Sequence, residues 1–438
     1  MISLRHLSSF IAIILSVLLL AGCGEDDRNK VIVSNGENAV ASVSAPAAAK
    51  DHFILYEANP KCFAASGSLK AIEARLDNIK ALGVDILWIM PIYPQGQKNS
   101  VGSPYCVKDY KAVNPTFGTL ADFKSLVAAT HAKGMKLMLD WVPNHTSWDN
   151  AWITEHPEWY TKDGSGNIIH PAGTNWADVA DLNYDNAQMR AAMIDAMKYW
   201  ITECDIDGYR CDYAHGVPDN FWSEAIPELK SVKNSIVMLA ESDYDRLFNC
   251  GFDIIFCRAF KSALVSLYNG RTKPAAFMTN GYQANIASVP AGCTKLFFIT
   301  NHDDASENCP VDQFPGADAA LSAFVLASAL DCSSLIYSSQ EIAYDKKINF
   351  FNNAAMNWGA NSTYTKRYEQ AMQSVKKLNR SGAMQSFTSD HAIFVGYDNG
   401  TLAVNVTAEE AKIAVPTALG LTTKSLTLAP YEFVFLEK

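Results

Sequence analysis

From Phe53 onward the chain alternates short apolar runs with longer amphipathic segments, and this rhythm restricts the fold more than any other feature of the sequence. Strands separated by helices pair in parallel, because a crossover connection returns the chain to the starting end of the sheet. Apolar runs at 53–57, 85–91, 135–141, 206–212, 236–241, 252–257, 294–300 and 334–338 are expected as strands. Eight of them predict an α/β fold of the (β/α)8 type, a TIM barrel, rather than an open doubly wound sheet. Four runs end in polar clusters: Asp140, Asn144 and His145 follow the third, Asp212 the fourth, Glu241 the fifth, and Asn301-His302-Asp303 the seventh. Barrel enzymes build their sites at the C-terminal ends of the strands, which is where these clusters fall.

The rhythm is interrupted twice. Residues 145–184 are rich in Trp, His, Asn and Gly, among them Trp148, Trp152, Trp159 and Trp176. So long a connection is usually functional, and a small inserted domain is expected after strand 3, with its tryptophans mainly as its core. After Arg380, short alternating stretches such as 392–397 and 402–406, with Asp398-Asn399-Gly400 as a hairpin signal, predict a short C-terminal β-sandwich domain over 383–438. The barrel is assigned to 51–382.

Residues 1–22 carry Arg5 and an apolar stretch from Phe10 to Leu20 that is too short to span a bilayer comfortably, and they read as a signal peptide. The tetrad Leu20-Ala21-Gly22-Cys23 resembles a bacterial lipobox, which implies lipidation at Cys23. An extracytoplasmic lipoprotein held at a membrane, expected at the outer membrane and cell surface, follows from that resemblance. Residues 23–50 begin acidic and continue rich in Ala and Ser without aromatics, a composition expected of a flexible tether. The formal charge of −10 argues against nucleic acid or another polyanion as partner and suits a neutral ligand. The cysteines other than Cys23 lack metal-type spacing and are expected mostly as buried thiols rather than a disulfide framework. Oligomeric state is not legible.

Residues two apart on a strand share a face, so Arg210 and Asp212 should project together toward the barrel mouth. A guanidinium beside a carboxylate keeps it ionised, as a nucleophile requires. Glu241 ends the apolar run 236–240, where desolvation should favour the protonated form needed by a general acid. Asp303, with Asn301 and His302, would form the third side of the site.

These blocks, in this order, resemble the α-amylase family of glycoside hydrolases over about residues 53 to 438. The resemblance implies hydrolysis of α-1,4 bonds in starch-like α-glucans with retention, by Asp212 as nucleophile, Glu241 as acid and base, and Asp303 as stabiliser. Endo action is expected, because an enzyme anchored outside the cytoplasm meets polymer first. Exo-α-glucosidase, cyclodextrin or pullulan hydrolase, α-glucan transglycosylase and a non-catalytic glycan-binding protein are the alternatives. The resemblance further implies substrate contacts from Tyr105, His145, Arg210 and His302, and a calcium ion at Asn144 and Asp181, with no organic cofactor. Asp109 lies in the block around Tyr105, and residues 179–183 resemble a fifth family block. The chain departs from the family at His215 and Gly216, where Lys and His are usual, and near 333–341, which lacks the usual glycine and proline.

Overall fold

The computed structural model describes residues 42–44, 52–309, 311–380 and 382–438. The signal segment 1–22 and Cys23 lie outside the described residues. Eight strands close into a barrel: β1 (Ile54–Ala58), β2 (Ile86–Ile89), β3 (Lys136–Trp141), β4 (Gly208–Cys211), β5 (Val237–Ala240), β6 (Ile254–Phe256), β7 (Thr294–Phe298) and β8 (Ser333–Tyr337). Every neighbouring pair is parallel, and Ser334 of β8 pairs with Ile54 of β1 to complete the ring. Each strand falls within its expected run or within a residue of it. Most are shorter, because the polar ends leave the ladder to form the rim.

The two-residue side-chain period sorts each strand into two faces. Leu55, Trp88, Met138, Leu239, Phe256, Phe298 and Leu335 form a dry cluster inside the barrel. Alternate residues such as Tyr56, Leu87, Leu139 and Met238 pack outward in the main core. The covering helices are set by local signals. Thr119 and Asp122 make a reciprocal capping box at the start of Leu120–Ala132, and Asn186 caps Ala187–Cys204.

The insertion leaves and returns through one short ladder, in which His145–Ser147 pairs antiparallel with Val179–Asp181. Trp159 is buried there, while Trp148, Trp152 and Trp176 are half-buried.

Beyond the helix Ser362–Lys377 lies a sandwich of two sheets. One contains β9 (Gln385–Thr388), β10 (Ala392–Tyr397), β11 (Gly400–Asn405) and β14 (Phe433–Glu437); the other is the hairpin β12 (Ala411–Ala414) and β13 (Ser425–Leu428). Phe394, Ala403, Ile413 and Leu428 fill the space between them. Ile393, Val395 and Leu402, on the opposite face, join the main core, and the Tyr397 hydroxyl donates to the Ala329 carbonyl at 3.0 Å. The tether reading of 23–50 is corrected at Ser42–Ser44, which adds an antiparallel strand to β9. Composition did not reveal it, because an edge strand can be held through its backbone by a neighbour's unpaired N–H and C=O groups.

Gly208 is where β4 needs a residue without a side chain. A Cβ there would stand 2.5 Å from the Val237 carbonyl oxygen and 2.9 Å from Met138 Cε. Gly208→Ala is expected to lower stability by roughly 1–3 kcal/mol through overpacking, measured by urea unfolding. A variant as stable as the wild type would contradict so close an approach.

Candidate active site

The inward-facing period carries three of the strands from the dry layer into carboxylates. Leu55 is followed two residues on by Glu57, Met138 by Asp140, and Leu239 by Glu241. At the centre Arg210, with no exposed surface, donates from Nη1 to Asp140 Oδ1 at 2.8 Å and to Asp212 Oδ1 at 2.9 Å. Its Nη2 forms a 2.9 Å ion pair with Glu241 Oε2. Arg210 and Asp212 therefore project together. One guanidinium holds both acids at the mouth of the barrel, each carboxylate retaining 13% of its side-chain exposure.

The expected protonation of the pair is corrected. Burial alone would raise Glu241, but Arg210, Arg258 and the Tyr213 N–H together bring its carboxyl down to about 2. Arg258 Nη2 donates to Glu241 Oε1 at 2.8 Å, and the Tyr213 N–H donates to Oε2 at 2.9 Å. In this cleft Glu241 is held ionised rather than protonated. The apolar run before it gave no sign of Arg258, which comes from the far end of β6. Asp212 shifts the other way: burial pushes it well above the usual carboxylate range, with Glu241, Asp140 and Asp303 adding to the rise and Arg210 opposing it. Asp140, fully buried, is pushed up to about 6.

On the opposite rim, Asn301 caps the short helix His302–Glu307 by accepting from the Asp304 N–H. This cap directs His302 inward and leaves Asp303 on the rim, 53% exposed. His302 Nδ1 lies 2.5 Å from Glu57 Oε1, and its Nε2 meets the Tyr105 hydroxyl at 2.9 Å and Asp303 Oδ1 at 3.4 Å. Burial alone would lower His302, but Asp303 and Glu57 carry it up to about 9. The Tyr105 hydroxyl also donates to Asp140 Oδ2 at 3.2 Å, so the two rims are linked through hydrogen bonds.

Tyr105, His145, Asp212, Glu241, His302 and Asp303 all line one cavity of about 520 Å³. Arg210 lies beneath it. His145 donates its Nε2–H to the Tyr105 carbonyl at 3.2 Å, and burial lowers it to about 4. Asp109 lies elsewhere, in a depression with Asp149 and Trp152. Trp176, Tyr213, Phe350 and Phe351 complete the cavity wall and were not singled out as site residues from sequence. Tyr213 adopts a left-handed backbone (φ 45°), and its ring meets Trp176 edge to face at 5.1 Å. The departure at Gly216 has its reason here, since a Cβ at 216 would stand 2.1 Å from the Tyr213 ring. Buried Lys61, lowered to about 8 by desolvation, ties two walls together by donating to the Phe351 carbonyl at 2.8 Å and the Gly102 carbonyl at 3.3 Å.

Asn144 and Asp181 sit at the base of the insertion. The Asn144 amide contacts His145 Nδ1 at 3.2 Å, and Asp181 pairs in register with His145. One amide and one carboxylate fall short of the six to eight oxygens that calcium takes. Among the described residues no cluster of three His, Cys, Asp or Glu side chains could hold a metal. Calcium therefore enters no chemical step below.

Fold and site together define a barrel protein with a carboxylate-lined cleft at the C-terminal rim of its strands. The chain belongs to the α-amylase family, whose sequence model, described as the alpha amylase catalytic domain, matches residues 33–178 and 174–418. It is 28% identical over 331 residues to the alpha-amylase MalA of Haloarcula japonica, covering 73% of this chain and 48% of that protein. It is 32% identical over 200 residues to a probable oligo-1,6-glucosidase 2 of Bacillus subtilis, covering 37% of this chain and 34% of the relative. The chain thus spans half or less of the length of these curated relatives. The crystal structure of an alpha-amylase from Lactobacillus plantarum superposes with a TM-score of 0.77 at 27% identity, covering 88% of this chain and 98% of that one.

The Glu57–His302 pair makes a direct prediction. His302 is raised above its ordinary value of about 6.5, so its contribution to stability is complete below that pH and is lost as pH rises through about 9. In protein labelled with ¹⁵N-histidine, one ring should remain doubly protonated at pH 8, and Glu57→Gln should remove that signal. A spectrum in which every ring is neutral at pH 8 refutes the assignment.

Proposed function

We propose that this chain is a retaining glycoside hydrolase that cleaves α-1,4-glucosidic bonds in starch-like α-glucans, acting within the chain. The observation that carries this reading is the Arg210 fork, which holds Asp212 and Glu241 together at the mouth of an aromatic-walled cavity with Asp303 on its rim. Retention requires two carboxyl groups roughly 5–5.5 Å apart, and the adjacent ends of β4 and β5 suit that spacing. Once the proton has passed from Asp212 to Glu241 in the loaded cleft, Asp212 attacks the anomeric carbon while Glu241 gives that proton to the departing oxygen. Glu241 then takes a proton from the water that releases the glycosyl-enzyme. Tyr105 offers a ring face to a sugar, and His302, charged by its neighbours, offers an N–H to a hydroxyl. Asp303 accepts hydroxyl protons and meets the positive charge that develops on the ring.

Endo action is supported by the anchor expected at Cys23. An exo-acting reading draws on the oligo-1,6-glucosidase name of one relative. Products from an end-blocked maltooligosaccharide and from maltose separate the two.

Asp212→Asn and Glu241→Gln should each lose on the order of a thousandfold or more in kcat on amylose while remaining folded, since each removes a group acting in the transition state. NMR of the first products should show the α-anomer. Initial release of the β-anomer, or an Asp212→Asn variant within tenfold of wild type, would overturn the assignment.

Calcium at Asn144 and Asp181 is proposed as structural only, with backbone carbonyls and water supplying the oxygens that these two side chains lack. Chelator treatment should then lower the melting temperature. Unchanged melting with no metal by elemental analysis removes the ion.

A further inference from the structure

Arg258 has no assigned part in the reaction, yet after Arg210 it is the charge that most lowers the acid/base carboxylate. It is the first residue of the helix Arg258–Tyr268. A cation at a helix N-terminus opposes the macrodipole, so helix stability does not account for it there. The side chain, 42% exposed, reaches back across the rim. Nη2 donates to Glu241 Oε1 at 2.8 Å, and Nη1 donates to Asp243 Oδ2 at 2.9 Å. Asp243 Oδ1 also accepts the Arg258 backbone N–H at 2.7 Å, which fixes the base of the side chain. With Arg210 and the Tyr213 N–H on Oε2, both oxygens of Glu241 face donors that are charged or fixed in the backbone. A guanidinium on Oε1 favours the ionised carboxylate and occupies the edge from which a proton would pass to a leaving group.

The two arginines differ in exposure. Arg210 has no exposed surface and is held by Asp140, Asp212 and Glu241, whereas the Arg258 side chain is 42% exposed and opens to solvent. We propose that Arg258 is a positioning residue that fastens Glu241 by Oε1 in the empty cleft, and that the acid step waits until a sugar on the leaving-group side breaks this contact. The leaving oxygen must reach the same Oε1 edge, so substrate and Arg258 compete for one place. Breaking the contact removes the charge that keeps Glu241 ionised, so Glu241 takes up the proton that Asp212, held high in the resting cleft, gives up as it becomes the nucleophile. The charged and titratable groups facing Glu241 are Arg210 and Asp212 from β4, Asp140 from β3, His302 and Asp303 after β7, and Arg258 after β6, with Asp243 on its own loop behind Arg258. Of these, Arg258 alone is both in contact with Glu241 and substantially exposed.

This inference rests on Glu241 being the acid and base, and the experiment separates the two. Glu241→Gln should lose hydrolysis of amylose yet keep the first chemical step on α-maltosyl fluoride, whose leaving group needs no proton. Loss of both, or of neither, removes the acid/base reading whatever Arg258 does. With that control in place, kcat/KM and kcat on maltooligosaccharide are measured against pH for wild type and Arg258→Gln. In the kcat/KM profile, which reports the free enzyme, the limb set by Glu241 should move up by about one unit or more, because an opposing charge in contact lowers a carboxyl by that order. In the kcat profile, which reports the loaded enzyme, it should move much less. Arg258→Lys should fall between. Asp243→Asn, which loosens the guanidinium without removing it, should shift the kcat/KM limb in the same direction and decides the matter should Arg258→Gln fail to fold. Superimposable kcat/KM profiles, or equal shifts in both, overturn the proposal.

Discussion

A buried guanidinium is the interaction on which the rest of this site depends. Arg210 has no exposed surface and meets three carboxylates, from Asp140, Asp212 and Glu241, which arrive from three adjacent strands. Burial keeps Asp140 near 6 against the pull of Arg210 and His302, and burial with Glu241, Asp140 and Asp303 holds Asp212 high against Arg210. Ion pairs withdrawn this far from water bring little net stability, because desolvation offsets their attraction. What they fix is direction: the guanidinium plane sets where two carboxylates point before any sugar arrives.

Around that fork the backbone gives up some ease. Tyr213 sits at φ 45° without being glycine, which costs on the order of 1–2 kcal/mol. In return its N–H points at Glu241 and its ring closes the cavity beside Trp176. Gly216 makes the arrangement feasible by leaving room for that ring. The strain and the glycine belong to one local solution.

The barrel was legible because a βα rhythm repeats and because strand ends that turn from apolar to acidic fall at one rim. Asp212, Glu241, His302, Tyr105 and His145 could be named from local blocks, and the structure brings them to one cavity. Their charge states could not be named. Those depend on Arg258, which opens the helix after the neighbouring strand, and on Glu57, 245 residues from His302, and neither sits in a run with a distinguishing local pattern. Glu57 reads as one acid in an apolar run, and Arg258 as one base opening a helix. Trp176 was grouped with the core tryptophans of the insertion, since composition does not say which ring faces a cavity. Nor could backbone pairing by Ser42–Ser44 be seen in a stretch whose side chains carry no strand signal.

Lys61 joins walls that belong to distant parts of the chain, and its two acceptors are both carbonyls, Phe351 and Gly102. An ammonium has three N–H bonds; the neutral amine keeps two. Near pH 8 this lysine passes between the two forms, and in either it has a hydrogen for each carbonyl. The tie is therefore matched to its proton count and indifferent to its charge, so the cavity's shape is insulated from the titration that governs the carboxylates beneath it.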